Sequence, residues 1–192
     1  AMAVLSYNEI LPKKVILHDD EPCQVISSHV FRKQQRKPVN ITKLKNLKTG
    51  RVIEVTFHQN ETVEEADLET KSVTYIFQKP GEYWFHTTGQ PADRFSLPAE
   101  VVGEAGRFLQ ARTELDALLF NDEVIGLKIP IKVALRVAEA MPAVKGNTSQ
   151  GAQKEVTLET GAKLNVPMFI NEGDVLSINT ETGAYSERIE KA

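Results

Sequence analysis

The chain has 192 residues, 41% of them hydrophobic and 26% charged, with 26 acidic against 23 basic residues and a formal net charge of −3. That composition supports an ordinary packed core, and a single cysteine, Cys23, excludes both a disulfide framework and a multi-cysteine zinc site. No run of about 18 apolar residues occurs and no basic segment leads into an apolar stretch at the N-terminus, so neither a membrane span nor a signal peptide is expected and the chain reads as cytoplasmic.

Most of the periodic signal has period two, in short segments broken by Gly, Pro and Asn, which favours an all-β chain. Residues 15–17 and 24–30 read as the first strands. In 38–47, Val39, Ile41, Lys43 and Lys45 alternate against Asn40, Thr42, Leu44 and Asn46. Thr49-Gly50 then turns the chain into a strand at 51–57, where Ile53, Val55 and Phe57 share one face. These strands are expected to form a small barrel ending near Glu65, in a first domain of residues 1–65. The acidic stretch 60–69 reads as a linker.

A second domain, residues 66–129, is expected to contain a strand at 73–78, a turn at Pro80-Gly81 and a return strand at 82–86. The aromatics on these strands, Tyr75, Phe77, Tyr83, Trp84 and Phe85, read as its core. Pro98 opens the one helix-like segment, 98–110, which Gly103 and Gly106 limit to a turn or two. Residues 115–120 and 123–129 then pair around Asn121-Asp122. The third domain, 130–192, restarts the alternation with Val133, Leu135 and Val137, is interrupted by a flexible stretch at 145–151, and continues with strands at 156–159, 163–167, 175–179 and 185–189. Thr160-Gly161, residues 171–174 and Thr182-Gly183 supply the turns between them. Short strands so separated suit an oligonucleotide/oligosaccharide-binding (OB) barrel, with Phe169 in its core. The chain thus reads as three β-barrels in series.

Nothing in the chain reads as a phosphate-cradling loop, a dinucleotide turn or a G-x-S-x-G elbow. His18, His29, His58 and His86 are scattered singly, without the spacing of paired metal ligands, and Asp19-Asp20 and Glu64-Glu65 are read as solvated turn or linker carboxylates. A non-enzymatic role with no metal or cofactor is expected.

The charge is distributed unevenly. Between Ser28 and Arg51 stand eight cations (Arg32, Lys33, Arg36, Lys37, Lys43, Lys45, Lys48, Arg51) and no acid, leaving 15 basic against 26 acidic residues elsewhere. A local +8 in an acidic chain is the electrostatic footprint of a polyanion partner, and nucleic acid comes first. Residues 31–38, Phe-Arg-Lys-Gln-Gln-Arg-Lys-Pro, lie between two expected strands, so they form a hairpin loop that places four cations around a glutamine pair. The alternative is a loop that serves only solubility.

Longer stretches match a known pattern. From Lys145 the chain reads KGNTSQGAQKEVTLETGAKLNVPMFINEGDVLSINTETGAYSERI, with T-L-E-T-G, V-P-M-F-I, N-E-G-D-V-L and T-G-A-Y in order; LKNLKTGRV ends at Val52, Phe57 closes a strand, and Thr74-Tyr75 opens the second domain. Over essentially its whole length the chain resembles bacterial elongation factor P. The resemblance implies an N-terminal SH3-like (KOW-like) barrel followed by two OB barrels in an L-shaped, tRNA-like arrangement. It also implies ribosome binding between the peptidyl and exit sites beside peptidyl-tRNA, with ribosomal RNA and proteins as partners, a monomeric state, and relief of stalling at consecutive prolines. In that family the first-domain loop carries Pro-Gly-Lys-Gly and reaches toward the peptidyl-transferase centre, its tip often bearing a modified Lys or Arg. Aligned without gaps, Lys33, Gln34, Gln35 and Arg36 take those positions, so Gln35 stands at the tip with no amine to extend; a register shifted by one residue would instead bring Arg36 to the tip as a modification target. Arg32, Lys37, Lys43, Lys45, Lys48, Arg51 and, in the third domain, Lys145 are the candidate RNA contacts. A competing reading, a free single-stranded RNA-binding protein, requires exposed aromatic platforms on the barrels.

Overall fold

The computed structural model describes residues 2–141 and 151–192. The flexible stretch expected at 145–151, and Lys145 with it, lies outside the described residues except for Gly151. The N-terminal part holds β1 (Val4–Ser6), a 3-10 turn at Tyr7–Glu9, β2 (Val15–His18), β3 (Glu21–Phe31), β4 (Val39–Asn46), β5 (Val52–His58) and β6 (Thr62–Glu64). Strands β2 to β5 form an antiparallel meander, turned at β2–β3 by Asp19 and Asp20, both at positive φ (52° and 62°) as a type I′ hairpin turn needs. The core lies under its inner face, where Ile10, Ile16, Cys23, Val25, Leu44 and Phe57 are buried.

Residues 60–69, expected as a linker, contain instead a strand, Thr62–Glu64, paired with β1 in the register Leu5↔Val63. The segment is too short and acidic to show period-two hydrophobicity. What holds it is the backbone ladder and the burial of Leu5.

Next come β7 (Glu69–Lys79), β8 (Glu82–Thr87), β9 (Gln90–Pro98), α1 (Ala99–Val102), a 3-10 segment at Gly103–Phe108, β10 (Glu114–Phe120) and β11 (Glu123–Lys128). The last group is β12 (Lys132–Ala140), β13 (Gln153–Leu158), β14 (Lys163–Pro167), β15 (Val175–Asn179) and β16 (Ala184–Glu190). The sheet orders are β11-β10-β7-β8-β9 and β14-β13-β12-β15-β16. Both follow one plan: the first strand lies between the second and fourth, the third lies outside the second, and the fifth outside the fourth. That is the strand plan of the OB barrel, and in the last group β14 and β16 approach to close it. The chain divides into two compact units, residues 1–71 with 117–126 and residues 72–116 with 127–192.

The core of the last barrel is Leu135, Val137, Val156, Leu158, Leu164, Val166, Ile170, Leu176 and Ile178, joined by Phe108 from the 3-10 segment. Asp174 is fully buried beside it. Its carboxylate accepts the N–H of Asn171 at 2.9 Å and of Ala192 at 2.8 Å and pairs with Arg188 at 3.4 Å. Burial alone would raise this carboxyl; the two N–H groups and Arg188 outweigh it and hold the group below its ordinary value.

Two aromatic assignments change. Tyr75 and Phe85 are buried as expected, but Phe77 is 37% exposed and stacks on Trp84 at 6.0 Å between centroids. The cause is a bulge: Tyr75 pairs with Phe85 and Phe77 with the adjacent Trp84, so two steps on β7 match one on β8 and Phe77 changes face. Phe169 is exposed with the Arg188 guanidinium 5.0 Å from its ring centre, and Ile170 takes the core position instead.

Candidate nucleic-acid interface

Strands β3 and β4 pair up to Phe31↔Val39, and the chain between them forms the expected loop. At its apex the Arg36 N–H donates to the Lys33 carbonyl at 3.1 Å, making Gln34 and Gln35 the central residues of a four-residue turn. Gln35 alone of the two has positive φ, 64°. This is the type II pattern, which usually places Gly or Asn at that position. A non-glycine residue there carries strain of roughly 1–2 kcal/mol. The glutamine amide is therefore presented at the tip by a turn whose backbone suits a glycine.

Arg32, Lys33, Gln34, Gln35, Arg36 and Lys37 are all exposed, and among the described residues none of the four cations forms an ion pair. Arg32, Gln35, Arg36, Lys37 and Pro38 line an open depression of about 360 Å³ together with Gln59, which follows β5. Below the loop, Val30 and Phe31 are 48% and 39% exposed, so the stalk presents apolar surface under the charged tip.

The other four members of the basic block are separated from the tip. Lys43 and Lys45 are exposed on the outer face of β4, with Lys43 opposite Glu54 of β5. Lys48 is engaged: its ammonium is 3.6 Å from Glu123 and 5.8 Å from the centre of the Phe120 ring. Arg51 lines a small cleft with His18, Asp19, Glu21, Cys23, Asn46 and Ile53. At about 3.4 Å per residue, β4 sets this end roughly 25 Å from the loop. The block is thus a stripe with a free cationic tip and a partly neutralised foot. The Cys23 thiol in the foot cleft is buried, and burial, reinforced by Glu21 and Asp19, pushes it up, keeping it protonated and unreactive.

One residue that supports this site was not singled out from the sequence. Asn40, the second residue of β4, is completely buried, and its Nδ2 donates to the carbonyls of Tyr7 at 2.7 Å and Ile10 at 3.1 Å. It ties the N-terminal 3-10 turn to the base of the loop. The signal was present as a polar residue on the face that also carries Leu44.

Residues 6–63 match the elongation factor P (EF-P) KOW-like domain and residues 133–188 match the C-terminal domain of elongation factor P. Elongation factor P of Brachyspira hyodysenteriae is 37% identical over 188 residues, covering 98% of this chain and all of the relative. The chain belongs to the elongation factor P family. Elongation factor P of Carboxydothermus hydrogenoformans is likewise 37% identical, over 97% of this chain and the whole of that protein. The solved structure of eukaryotic translation initiation factor 5A from Methanococcus jannaschii aligns over 67% of this chain and 94% of its own, at 13% identity and a TM-score of 0.48. Family membership makes the chain a translation elongation factor that works with the translation machinery. It also identifies the hairpin as part of the family's KOW-like domain.

Proposed function

We propose that the chain binds the ribosome between the peptidyl and exit sites, contacts peptidyl-tRNA and ribosomal RNA through the first-barrel hairpin, and promotes peptide-bond formation where consecutive prolines stall synthesis. It acts in the cytoplasm as a monomer of three domains, residues 1–65, 66–129 and 130–192, and performs no covalent chemistry of its own. The observation that carries this reading is the tip: an uncharged amide held in a strained turn, flanked by four cations that form no ion pair among the described residues. Cations fix a loop against phosphates without reading sequence. An amide can donate and accept hydrogen bonds where an acceptor end must be held in reactive geometry. Proline is a conformationally restricted nucleophile, and orientation alone can recover a large part of a lost rate. The tip acts unmodified, with Gln35, Lys33 and Arg36 replacing an extended side chain.

A translation assay on a polyproline template with wild-type, Gln35→Ala and Gln35→Lys proteins tests this. Gln35→Ala should lose most of the stimulation. Equal activity in all three proteins would make the tip side chain irrelevant, and a mass increment on a loop residue of protein from its native host would contradict action without modification.

A further inference from the structure

The third barrel carries an open groove of about 400 Å³, walled on one side by Lys163, Asn165 and Pro167 of β14 with Gln153 of β13, and on the other by Gly183 and Tyr185. In a barrel of this strand order, the face of the second and third strands beside the turn joining the fourth and fifth is where OB folds take their ligands. Topology alone does not decide the matter, because the middle sheet has the same order. Chemistry separates them. A groove at Ser72, Glu114, Asp116 and Lys128 has two carboxylates to one ammonium, whereas the β14 groove has two amides, one ammonium and no carboxylate in its lining.

The polar side chains of the β14 groove are uncommitted. Among the described residues, those of Gln153, Lys163, Asn165 and Tyr185 make no hydrogen bond. Tyr185 is half-buried, backed by the core through its partner Ile178, so its ring is fixed where it borders the groove. Gly183, at φ 70°, adds no side chain to the wall beside Tyr185. A second cation stands at the rim: Arg107 donates from Nη2 to the Lys163 carbonyl at 3.3 Å, while its Nη1 is 3.2 Å from exposed Glu104. Glu155 faces Asn165 across the β13–β14 ladder and disfavours a run of phosphates along this face. Amides that match base edges, one fixed aromatic and one lining cation describe a single nucleotide better than a polyanion.

We propose that this groove binds one unpaired ribonucleotide, its base against Tyr185 and the amides of Gln153 and Asn165, its phosphate toward Lys163. The site is separate from the hairpin, and it gives a translation factor a second, base-dependent RNA contact.

The test uses the full chain with Arg32, Lys33, Arg36 and Lys37 changed to Gln, which silences the hairpin, and a labelled single-stranded hexaribonucleotide followed by fluorescence anisotropy. Tyr185→Leu should weaken binding about tenfold or more, Tyr185→Phe should retain it, and Lys163→Gln and Asn165→Ala should each weaken it severalfold. A linear polyphosphate of equal charge should compete poorly. No detectable binding, equal competition by polyphosphate, or an affinity unmoved by Lys163→Gln and Asn165→Ala would overturn the site. The last pair decides the matter if melting shows that Tyr185→Leu unfolds the barrel.

Discussion

Replacing Arg32, Lys33, Arg36 and Lys37 together by Gln removes four cations at the loop that are exposed and, among the described residues, form no ion pair. Against RNA of single-stranded character, each phosphate contact contributes about 0.7 to the slope of log K against log salt, so four contacts amount to a slope of about 2.8. Between 50 and 200 mM salt, wild-type affinity should then fall about 50-fold more than that of the variant. Exposed loop substitutions of this kind move stability by no more than about 0.5 kcal/mol, so the difference is not an unfolding effect. Lys48 supplies an internal control, because Glu123 at 3.6 Å already meets its charge; Lys48→Gln should change the slope by well under 0.7, about one contact's worth. Co-sedimentation with ribosomes at several ionic strengths measures both. Parallel salt dependences for wild type and the fourfold variant, or a Lys48→Gln effect as large per charge as the loop's, would refute the division of the block into a free tip and a neutralised foot.

Asn40→Ala removes two hydrogen bonds and strands the carbonyls of Tyr7 and Ile10, while also removing the Asn40 Oδ1, which has no partner among the described residues. The net cost should be about 2–4 kcal/mol, read as faster amide exchange across the first barrel with the last barrel unchanged; a cost below about 1 kcal/mol would show that Asn40 is not a strut. For Asp174, the folded carboxyl lies below its ordinary value of 3.8. Its stabilisation is therefore complete above that pH and is lost as pH falls through the lower folded value. Amide exchange at Ala192 and Asn171 should accelerate in that acidic window, and Asp174→Asn should remove the pH dependence; an unchanged acid profile in Asp174→Asn would refute the assignment.

What could be read from the sequence follows from what each residue needed for its signal. The strands at 51–57 and 163–167 announce themselves because burial alternates along one strand, and turns such as Asn121-Asp122 because two adjacent residues need positive φ. Strands β1, β6 and β9 were missed because backbone pairing holds them, and their side chains carry little periodicity; Gln90–Pro98 has a single buried residue, Leu97. Phe77 was misplaced because a bulge is a backbone event, invisible to a count of two. Phe169 was misplaced because in V-P-M-F-I two large apolar neighbours compete for one core position, and Ile170 takes it.

At the site the same reasoning explains why charge was legible and its use was not. Eight cations without an acid are a property of composition, so the sequence suffices to find them. Which of them are free depends on partners distant in sequence, such as Glu123 for Lys48, and on the length of β4, which sets tip and foot apart. The tip adds a constraint that charge counting does not contain. Gln35 occupies a left-handed position that a glycine would hold without strain. A residue kept there against roughly 1–2 kcal/mol of backbone strain is explained by its side chain, not by the turn, which directs the decisive experiment to the uncharged amide between the cations.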